Sequence, residues 1–516
     1  MQMGWRSSVN TKAESPVVVI GAGLGGLSSA AYLARAGLPV TVVERHEVVG
    51  GYATSFQRGR FTFEVALHGS TLMGEALQQI FEELGIRESL ELVPLPEFYR
   101  LLGGAVDLVV PQRDPGAYVD LLSRHFPHEA EGIRRFVNIM LAIIEETNRM
   151  QRGRGKVFKP LFPFRYPHMW RWRQATLAKM MASCVTDTRL TNLLGALWSY
   201  YGLPPAKLSA FYYAVATGEF LRYGSHYVRP RSQQLSRLLR EAAEEGGGEV
   251  HTGVAATRIH LEGGRAAAVS LSDGTTLPAR AVISNISPRI LVDELLPHHL
   301  KHTRGMRRYR SHRLSMSAFV VWLGLHQPLP ETLCGGEYLV NLAEGPEVEY
   351  AAAVSGDIDR GAFSVTLYDN ILPDYSPPGT ASLSIFFLCG YAPWQRFADD
   401  YRQGKKEVYL EEKARWAATL IRRVEERLLP GLSAMIEVSV TATPLTCERY
   451  TASPKGAIYG YEQSIESAFI SRVPARSPVK GLYLTGAWTF PGAGFGGVLR
   501  SGQATYQAVV EDMGIR

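Results

Sequence analysis

Apolar and polar positions near the start of the chain occur in blocks that are typical of a parallel α/β fold. The apolar run Val17–Ile20 predicts a short buried strand. After a glycine-rich turn, the segment LSSAAYLARAG has the small and apolar residues of a packed helix, and Gly37 predicts its C-terminal end. The run PVTVVE predicts a second strand that Glu44 closes. This order indicates a Rossmann-like α/β domain.

Two further segments extend the pattern. Residues 246–285 contain short apolar runs separated by an EGG turn and an SDGT turn, which predict a β-meander. Residues 482–485 predict a strand, followed by a glycine-rich loop and a helix from about Gly496. The apolar run at residues 318–325, AFVVWLGL, is shorter than the roughly 20 residues that span a bilayer, so we interpret it as a buried strand.

Gly21, Gly23 and Gly26 form the pattern GxGxxG directly after the first predicted strand. The first glycine allows a tight turn, the second leaves room for a pyrophosphate, and the third lets the helix pack closely on the strand. Such a pattern alone is often only a glycine turn. Here a helix follows it, and Glu44 lies about 20 residues further on, where an acid suits ribose hydroxyls. The combination predicts a dinucleotide site with the helix N-terminus facing the phosphates.

A second glycine pair, Gly50 and Gly51, follows Glu44 in the segment ERHEVVGG. Together with its continuation GGYATSFQRGRFTFEVALHGS, this stretch resembles the FAD-dependent family of phytoene desaturases, carotenoid isomerases and retinol saturases, within the flavin amine oxidase-like superfamily. Tyr52 stands where an arginine is common in that superfamily, and Glu64 where an aspartate is usual. The resemblance implies FAD as the cofactor, with contacts in this region from Gly21, Gly23, Gly25, Gly26, Glu44, Arg45, Gly50, Gly51 and Thr54.

The same resemblance implies FAD contacts in two distant segments. Ala256 aligns with a strand position whose backbone meets the adenine, and Gly486 and Ala487 match the flavin-binding turn. The last helix begins where the family's amides face the isoalloxazine, and its N-terminus would favour the anionic edge of a reduced flavin; the matching residues are Gly496, Gly497 and Val498. No second GxGxxG is present, so we expect oxygen, a quinone or another partner to exchange electrons with FAD.

The stretch WTFPGAGFGGVLRSG is similar to the C-terminal motif of the same desaturases, isomerases and saturases, which act on long apolar polyenes. The resemblance implies desaturation, saturation or cis–trans isomerisation of a carotenoid- or retinoid-like substrate, with the chemistry supplied by the flavin. Trp488, Phe490 and Phe495 are candidates for lining the substrate tunnel, or are core residues. Two alternatives stay open: an amine oxidase of the same fold, and a membrane-bound scaffold that keeps FAD for stability alone.

His68, in the segment ALHGS, is the candidate catalytic residue. Retinol saturase-like chains also carry a histidine after a small residue here, and His68 could contact the flavin edge or supply a proton to a carbanion-like carbon. The alternative is a hydrogen-bonded core histidine. Glu64 is expected to be a structural hydrogen-bond acceptor. The four cysteines are far apart and no HExxH motif occurs, so no metal site is expected.

The net charge of +6 comes from one region. Residues 147–186 contain nine Lys or Arg and no acid, and residues 152–174 interleave seven cations with six aromatics and three prolines. Three interpretations compete: a monotopic membrane patch, a site for single-stranded nucleic acid, and a buried cap with surface cations. Because an apolar substrate must be collected from a bilayer, we expect residues 149–179 to face a membrane at the tunnel mouth. We expect no nucleic-acid partner.

The expected architecture is a discontinuous FAD-binding domain joined to a substrate domain. Residues 15–75, 230–300 and 455–516 are expected to form the FAD part. Residues 76–229 are expected to form a helical cap with the membrane-facing part of the substrate domain, and residues 301–454 its sheet. The first fifteen residues are polar and lack the apolar core of a signal peptide. We therefore expect a cytoplasmic protein that binds a membrane peripherally.

Overall fold

The computed structural model describes residues 15–103, 106–152, 159–341 and 344–515 of the 516-residue chain. The strands in these ranges are β1 (Val17–Ile20), β2 (Val40–Val43), β3 (Ser55–Arg58), β4 (Phe61–Glu64), β5 (Leu92–Pro94), β6 (Tyr99–Gly103), β7 (Val106–Val110), β8 (His226–Val228), β9 (Glu249–His251), β10 (Ala256–Glu262), β11 (Arg265–Leu271), β12 (Thr276–Pro278), β13 (Ala281–Ser284), β14 (Ser317–Leu325), β15 (Glu337–Asn341), β16 (Phe363–Leu367), β17 (Ala381–Cys389), β18 (Ile436–Ala442) and β19 (Leu482–Leu484).

The α-helices in the same ranges are α1 (Leu24–Arg35), α2 (Glu75–Glu83), α3 (Pro115–His125), α4 (Ala130–Arg152), α5 (Phe162–Arg165), α6 (Pro167–Trp172), α7 (Leu177–Ala182), α8 (Thr188–Leu194), α9 (Trp198–Tyr201), α10 (Ala210–Tyr223), α11 (Gln233–Glu245), α12 (Pro288–Ile290), α13 (Arg304–Ser311), α14 (Pro346–Ser355), α15 (Ala392–Gln395), α16 (Ala398–Arg402), α17 (Glu407–Arg427), α18 (Leu432–Met435), α19 (Pro444–Thr451) and α20 (Phe495–Met513). No helix in the described ranges is long and apolar enough to cross a membrane.

A five-stranded parallel sheet, with strand order β19–β13–β1–β2–β9, forms the first layer of the fold. Successive residues of β1 face opposite sides of the sheet. Val17 and Val19 pack in one cluster with α1, α11 and α20, whereas Val18 and Ile20 pack with the β10–β11–β12 meander. Both faces of β1 are therefore covered, which explains its unbroken apolar sequence. The α/β fold with a Rossmann-like domain, expected from the sequence, is confirmed.

A seven-stranded sheet, with strand order β18–β14–β17–β16–β15–β6–β7, forms the second large layer. Every residue of β14 is buried, because one face packs on β4 and the other on helices that include α17. Two strands of this sheet, β6 and β7, come from residues 76–229, the segment expected to form a helical cap with the membrane-facing part of the substrate domain. Leu101, Leu108 and Val110 turn into the core while their neighbours are more exposed, the alternation of a strand that covers one face of a core.

Helices α3 to α10 pack into a separate cluster beside this sheet. The longest of them, α4, buries Ile133, Phe136, Val137 and Met140 at the spacing of one helical face. The C-terminal end of α4 reaches the rim of the cavity described below.

Candidate active site

The glycine-rich turn between β1 and α1 lies beside Asn285, which follows the parallel neighbour β13. Gly21 has φ 95°, a conformation that residues with a Cβ rarely adopt. Its carbonyl accepts a hydrogen bond from Asn285 Nδ2 at 3.3 Å. A Cβ on Gly23 would lie 2.8 Å from the same nitrogen. Glycine at this position therefore keeps space open at the carboxyl edge of the sheet, where α/β folds bind ligands.

Helix α1 begins without a side-chain cap. Gly23 is its N-cap residue, and the first amide to bond back along the helix is that of Leu27, which donates to the Gly23 carbonyl at 3.0 Å. The amides of the preceding turn have no partner within the helix. An uncapped helix N-terminus on a cavity wall favours an anionic group such as a phosphate.

Glu44 follows β2 and holds the turn from the other side. Its Oε2 accepts a hydrogen bond from the Ala22 amide at 2.8 Å, and its Oε1 accepts one from the His46 amide at 2.9 Å. A carboxylate has about four lone-pair positions. Two positions remain for donors in the cavity, which suits the pair of ribose hydroxyls expected at Glu44.

The second glycine pair closes the same cradle. The Gly50 amide donates to the Ala22 carbonyl at 2.7 Å, and Gly23 and Gly50 form an isolated parallel bridge. Gly50 has φ 119°, and a Cβ on it would lie 2.3 Å from the Ala53 carbonyl oxygen. Only glycine fits where the 50–53 turn crosses α1.

Helix α20 brings a second uncapped N-terminus to the same cavity. It begins at Phe495 after Gly494, whose φ is 89° and which provides no side-chain cap. A Cβ on Gly497 would lie 2.6 Å from the Gly492 carbonyl oxygen, so the loop before the helix folds tightly over its first turn. The two helix starts, from opposite ends of the sequence, give the cavity two positively polarised walls.

Arg472 fixes the turn at residues 486–488. Its guanidinium is buried and donates to the carbonyls of Tyr461 at 3.1 Å, Ser467 at 3.2 Å, and Ala487. Burial lowers the pKa of Arg472 to about 10, so the group stays charged at neutral pH. Nothing local in the sequence marks this residue, because the carbonyls that it contacts are scattered over residues 459–487.

One cavity of about 1220 Å³ extends from this cradle to an aromatic region beneath the helical cluster. Sites for a single drug-sized ligand usually measure about 300–1,000 Å³, so the space is large enough for a cofactor and a further apolar molecule. Its aromatic part is lined by Tyr200, Phe211, Tyr212, Phe386, Phe469 and Phe490.

An ion pair stands in the wall of the aromatic part. Arg500 Nη2 lies 2.9 Å from Glu219 Oε1, and the two side chains are 13% and 11% exposed. Thr71 Oγ1 donates to the other carboxylate oxygen at 3.1 Å. Glu219 is thus neutralised by a fixed partner.

Most of the residues expected to bind the cofactor line this cavity: Gly21, Gly23, Gly25, Glu44, Arg45, Gly50, Gly51, Thr54, Ala256, Ala487, Gly496, Gly497 and Val498. His68, Trp488, Phe490 and Phe495 line it as well. Gly26 and Gly486 lie behind the wall instead. A Cβ on Gly26 would lie 2.1 Å from the Gly21 carbonyl oxygen, and a Cβ on Gly486 would lie 2.2 Å from Asn285 Oδ1. Glycine at these two positions permits close packing of the backbone behind the cavity wall.

Two important residues were missed from the sequence. Asn285 could have been found, because a polar residue directly after an apolar parallel strand lies at the ligand-binding edge of the sheet. Glu337 could not, because its position beside His68 depends on how the second sheet packs on the first domain. Among the described residues, no group of His, Cys, Asp or Glu is arranged to hold a metal ion.

The fold and the two polarised helix starts define the class of protein, an FAD-dependent oxidoreductase. The family described as flavin containing amine oxidoreductase matches residues 24–510, and this chain belongs to that family. The cyclohexylamine oxidase of Brevibacterium oxydans shares the fold with a TM-score of 0.62 and 16% identity, over 97% of this chain and 100% of that one.

Two curated relatives match almost the whole chain. The phytoene desaturase (neurosporene-forming) of Rhodobacter capsulatus is 28% identical, over 97% of this chain and 95% of its own length. Prolycopene isomerase 1 of an Oncidium hybrid cultivar is 24% identical, over 98% of this chain and 86% of its own length. The resemblance expected from the glycine motifs is confirmed.

The residues of the cavity fit FAD. The glycine cradle leaves room for a pyrophosphate, the helix starts offer amides to anionic oxygens, and Glu44 keeps acceptor positions for a ribose. When bound, FAD supplies a centre that accepts or gives a hydride. The protein's own contribution is to hold this group at one end of the cavity and to surround the other end with apolar and aromatic side chains.

Proposed function

We propose that this oxidoreductase acts on the C–C and C=C bonds of a carotenoid-like polyene, with desaturation as its principal reaction. The observation that carries the proposal is the continuity of the cavity, which joins the glycine cradle to a region lined by aromatic rings. A long apolar substrate needs such a channel, since burial of its surface supplies most of its binding energy. A polyene also needs no charged side chain to hold it.

The curated relatives support this substrate class and suggest a second reaction. The relative from Rhodobacter capsulatus is named a phytoene desaturase, and the Oncidium relative a prolycopene isomerase. Isomerisation of a polyene double bond is therefore our second candidate. Both reactions place the same apolar chain beside the same cofactor.

The charge of the cavity argues against an amine substrate. The acids among its described lining residues are Glu44, Glu219 and Glu294. Glu44 belongs to the cradle, and Glu219 is paired with Arg500 in the aromatic part. A cationic amine would gain little from a carboxylate that already has a buried cation as its partner.

We propose further that the substrate enters from a membrane surface. An apolar patch, which we term the entry patch, lies on and next to α5 and α6. Its members are Leu161, Phe164, Trp170 and Phe490, whose exposed fractions are 55%, 84%, 40% and 40%, respectively. Arg165, Arg171 and Arg173 lie among them in sequence, as in proteins that rest on anionic lipid. Phe490 lines the cavity, which supports an opening of the channel at the entry patch.

Part of the segment at residues 152–174, which interleaves cations with aromatic residues, is core rather than surface. Tyr166 and Trp172 are buried in the helical cluster, and residues 153–158 lie outside the described residues. The membrane interpretation therefore depends on the entry patch alone. We expect the double variant Phe164→Ser with Trp170→Ser to lose binding to anionic liposomes. A control pair on other exposed surfaces, Val348→Ser with Val408→Ser, should sediment with liposomes like the wild type.

The experiment that tests the proposed function is anaerobic. The FAD-loaded protein is mixed with liposomes that carry a panel of polyenes, and flavin colour and product mass are followed. Loss of two hydrogens with bleaching of the flavin supports desaturation, and an unchanged mass with a shifted polyene spectrum supports isomerisation. Subsequent addition of oxygen or a quinone identifies which acceptor restores the colour. No change with any polyene would contradict the proposal and leave amines, or a scaffold without activity, to be tested.

A further inference from the structure

His68 lies where the large cavity meets a second, smaller one. It lines both, and the smaller cavity of about 20 Å³ has the volume needed for one water molecule. The rings of Tyr200 and Phe386 meet the imidazole edge-on, with centroids 6.0 Å and 5.6 Å away. These two aromatic rings thus pack on the imidazole where it separates the two cavities.

Glu337 lies directly behind His68. It is the first residue of β15, its side chain is 4% exposed, and its Oε1 is 3.7 Å from His68 Nδ1. Neither atom has a hydrogen-bond partner among the described residues. Buried polar atoms without partners are rare in folded proteins. A displacement of less than about 1 Å would join these two atoms in a hydrogen bond.

The surroundings of the pair contain tyrosine hydroxyls, and one further buried carboxyl group, Glu64, lines the same small cavity as His68. The titratable groups that face Glu337 are His68 and the hydroxyls of Tyr200, Tyr368 and Tyr459. Burial raises the pKa of Glu337 to about 8 and lowers the pKa of His68 to about 4. The pair is therefore electrically neutral at pH 7, with its exchangeable proton on the carboxyl group.

His68 Nδ1 is buried against Glu337, although the His68 side chain is 18% exposed. Because Nδ1 is buried and His68 lines the large cavity, we infer that Nε2 is the nitrogen available to a molecule in that cavity. A histidine with one nitrogen on a carboxyl group and the other in a cavity can carry a proton between them.

We propose that His68 and Glu337 form a proton relay, in which His68 takes the proton that a polyene carbon loses and Glu337 receives a proton from His68. This inference rests on the proposed function. When bound, the flavin would supply the oxidant of a desaturation by accepting one hydrogen of the substrate as a hydride. The adjacent carbon loses its proton to His68 Nε2, the Nδ1 proton moves to the Glu337 carboxylate, and the two carbons form a double bond. His68 ends neutral and Glu337 ends protonated, so the negative charge that Glu337 carried at the start is balanced by the one that the hydride would bring to the flavin.

The relay makes the rate of turnover rise with pH. Glu337 must be ionised to receive the proton, and its pKa is raised to about 8. Desaturation should therefore become faster as the pH rises towards about 8 and then level off. Glu337 is not among the described residues that line the large cavity, so it is a positioning residue that acts through His68.

The test compares Glu337→Gln with Glu349→Gln. Glu349 is another fully buried carboxyl group, which accepts a hydrogen bond from Trp198 Nε1 at 2.7 Å and lies on α14. Glutamine keeps the shape but cannot carry the proton. We expect Glu337→Gln to lower kcat by at least about 100-fold, to abolish the rise with pH and to leave KM unchanged. Glu349→Gln should keep the pH profile.

An infrared titration of the FAD-loaded protein without substrate supplies a second readout that needs no turnover. We expect the carbonyl band of a protonated carboxyl group to disappear around pH 8 in the wild type and in Glu349→Gln. Wild-type protein with no such band would overturn the relay, even if Glu337→Gln fails to fold. If the wild type desaturates a polyene and Glu337→Gln keeps the same pH profile, the relay is overturned but the proposed function is not. If the wild type fails on every polyene, the proposed function is overturned as well.

Discussion

Gly25 offers a direct test of how the two ends of the chain form one cofactor wall. It is the second residue of α1, and a Cβ on it would lie 2.7 Å from Gly486 Cα and 2.8 Å from Gly486 N. These are backbone atoms, which cannot rotate out of the way. Gly25→Ala must therefore push α1 away from the 486–488 turn. Gly116 is the matched control, since it is the second residue of α3, is exposed, and a Cβ on it would meet only Asp114 Oδ1, at 3.1 Å.

The size of the expected change in FAD affinity follows from comparing Gly25→Ala with Gly116→Ala. Alanine is favoured over glycine in a helix by roughly 1 kcal/mol, and this gain applies to both variants. Overpacking costs about 1–3 kcal/mol and applies to Gly25 alone. Because both displaced elements belong to the cradle, we expect Gly25→Ala to weaken FAD binding about tenfold. The assay titrates apo-protein with FAD and follows flavin fluorescence. If Gly25→Ala binds FAD as tightly as Gly116→Ala, the close approach of α1 and the 486–488 turn does not support the cofactor site.

Three further predictions concern buried polar groups. Glu219→Gln leaves Arg500 without its anionic partner in the cavity wall, and we expect a loss of roughly 3 kcal/mol, measured as a lower midpoint of thermal unfolding. Thr443→Ala removes the capping box of α19 and should cost about 1 kcal/mol in denaturant unfolding. Folded protein keeps Glu337 protonated up to a pKa of about 8, whereas the unfolded chain releases that proton near the ordinary glutamate pKa. The free energy of unfolding therefore falls as the pH rises from the ordinary glutamate pKa to about 8, by up to about 1.4 kcal/mol per pH unit. Glu337→Gln should remove this pH dependence. An unchanged slope in that variant would contradict the raised pKa of Glu337.

The first half of the cofactor site could be predicted because its information is local. The turn from Gly21 to Gly26 needs a positive φ at Gly21 and no side chain at Gly23, and both requirements appear as glycine in the sequence. Glu44 follows at the distance set by one helix and one strand. Local chemistry of this kind survives in the pattern of residues, and the structure brings these positions to one cavity.

The substrate region could be predicted only in outline, because its contacts join distant segments. β6 pairs with β15 across more than 200 residues, so the apolar pattern of β6 did not reveal that it belongs to the second sheet. Glu337 precedes no recognisable motif, and its partner His68 lies more than 200 residues earlier in the sequence. Tyr166 and Trp172 show the same limit. They lie in the same basic and aromatic segment as the exposed Phe164, but packing places them in the core.

The measurement that tests the central claim most directly is a single anaerobic mixing experiment. FAD-loaded wild-type protein is added to liposomes that contain phytoene or a similar partly saturated polyene, and the flavin absorbance is recorded together with the product mass. We expect the oxidised flavin to bleach as the polyene loses two hydrogens. A flavin that keeps its colour with every polyene, and bleaches instead with a primary amine, would contradict the claim that the aromatic cavity is built for a polyene.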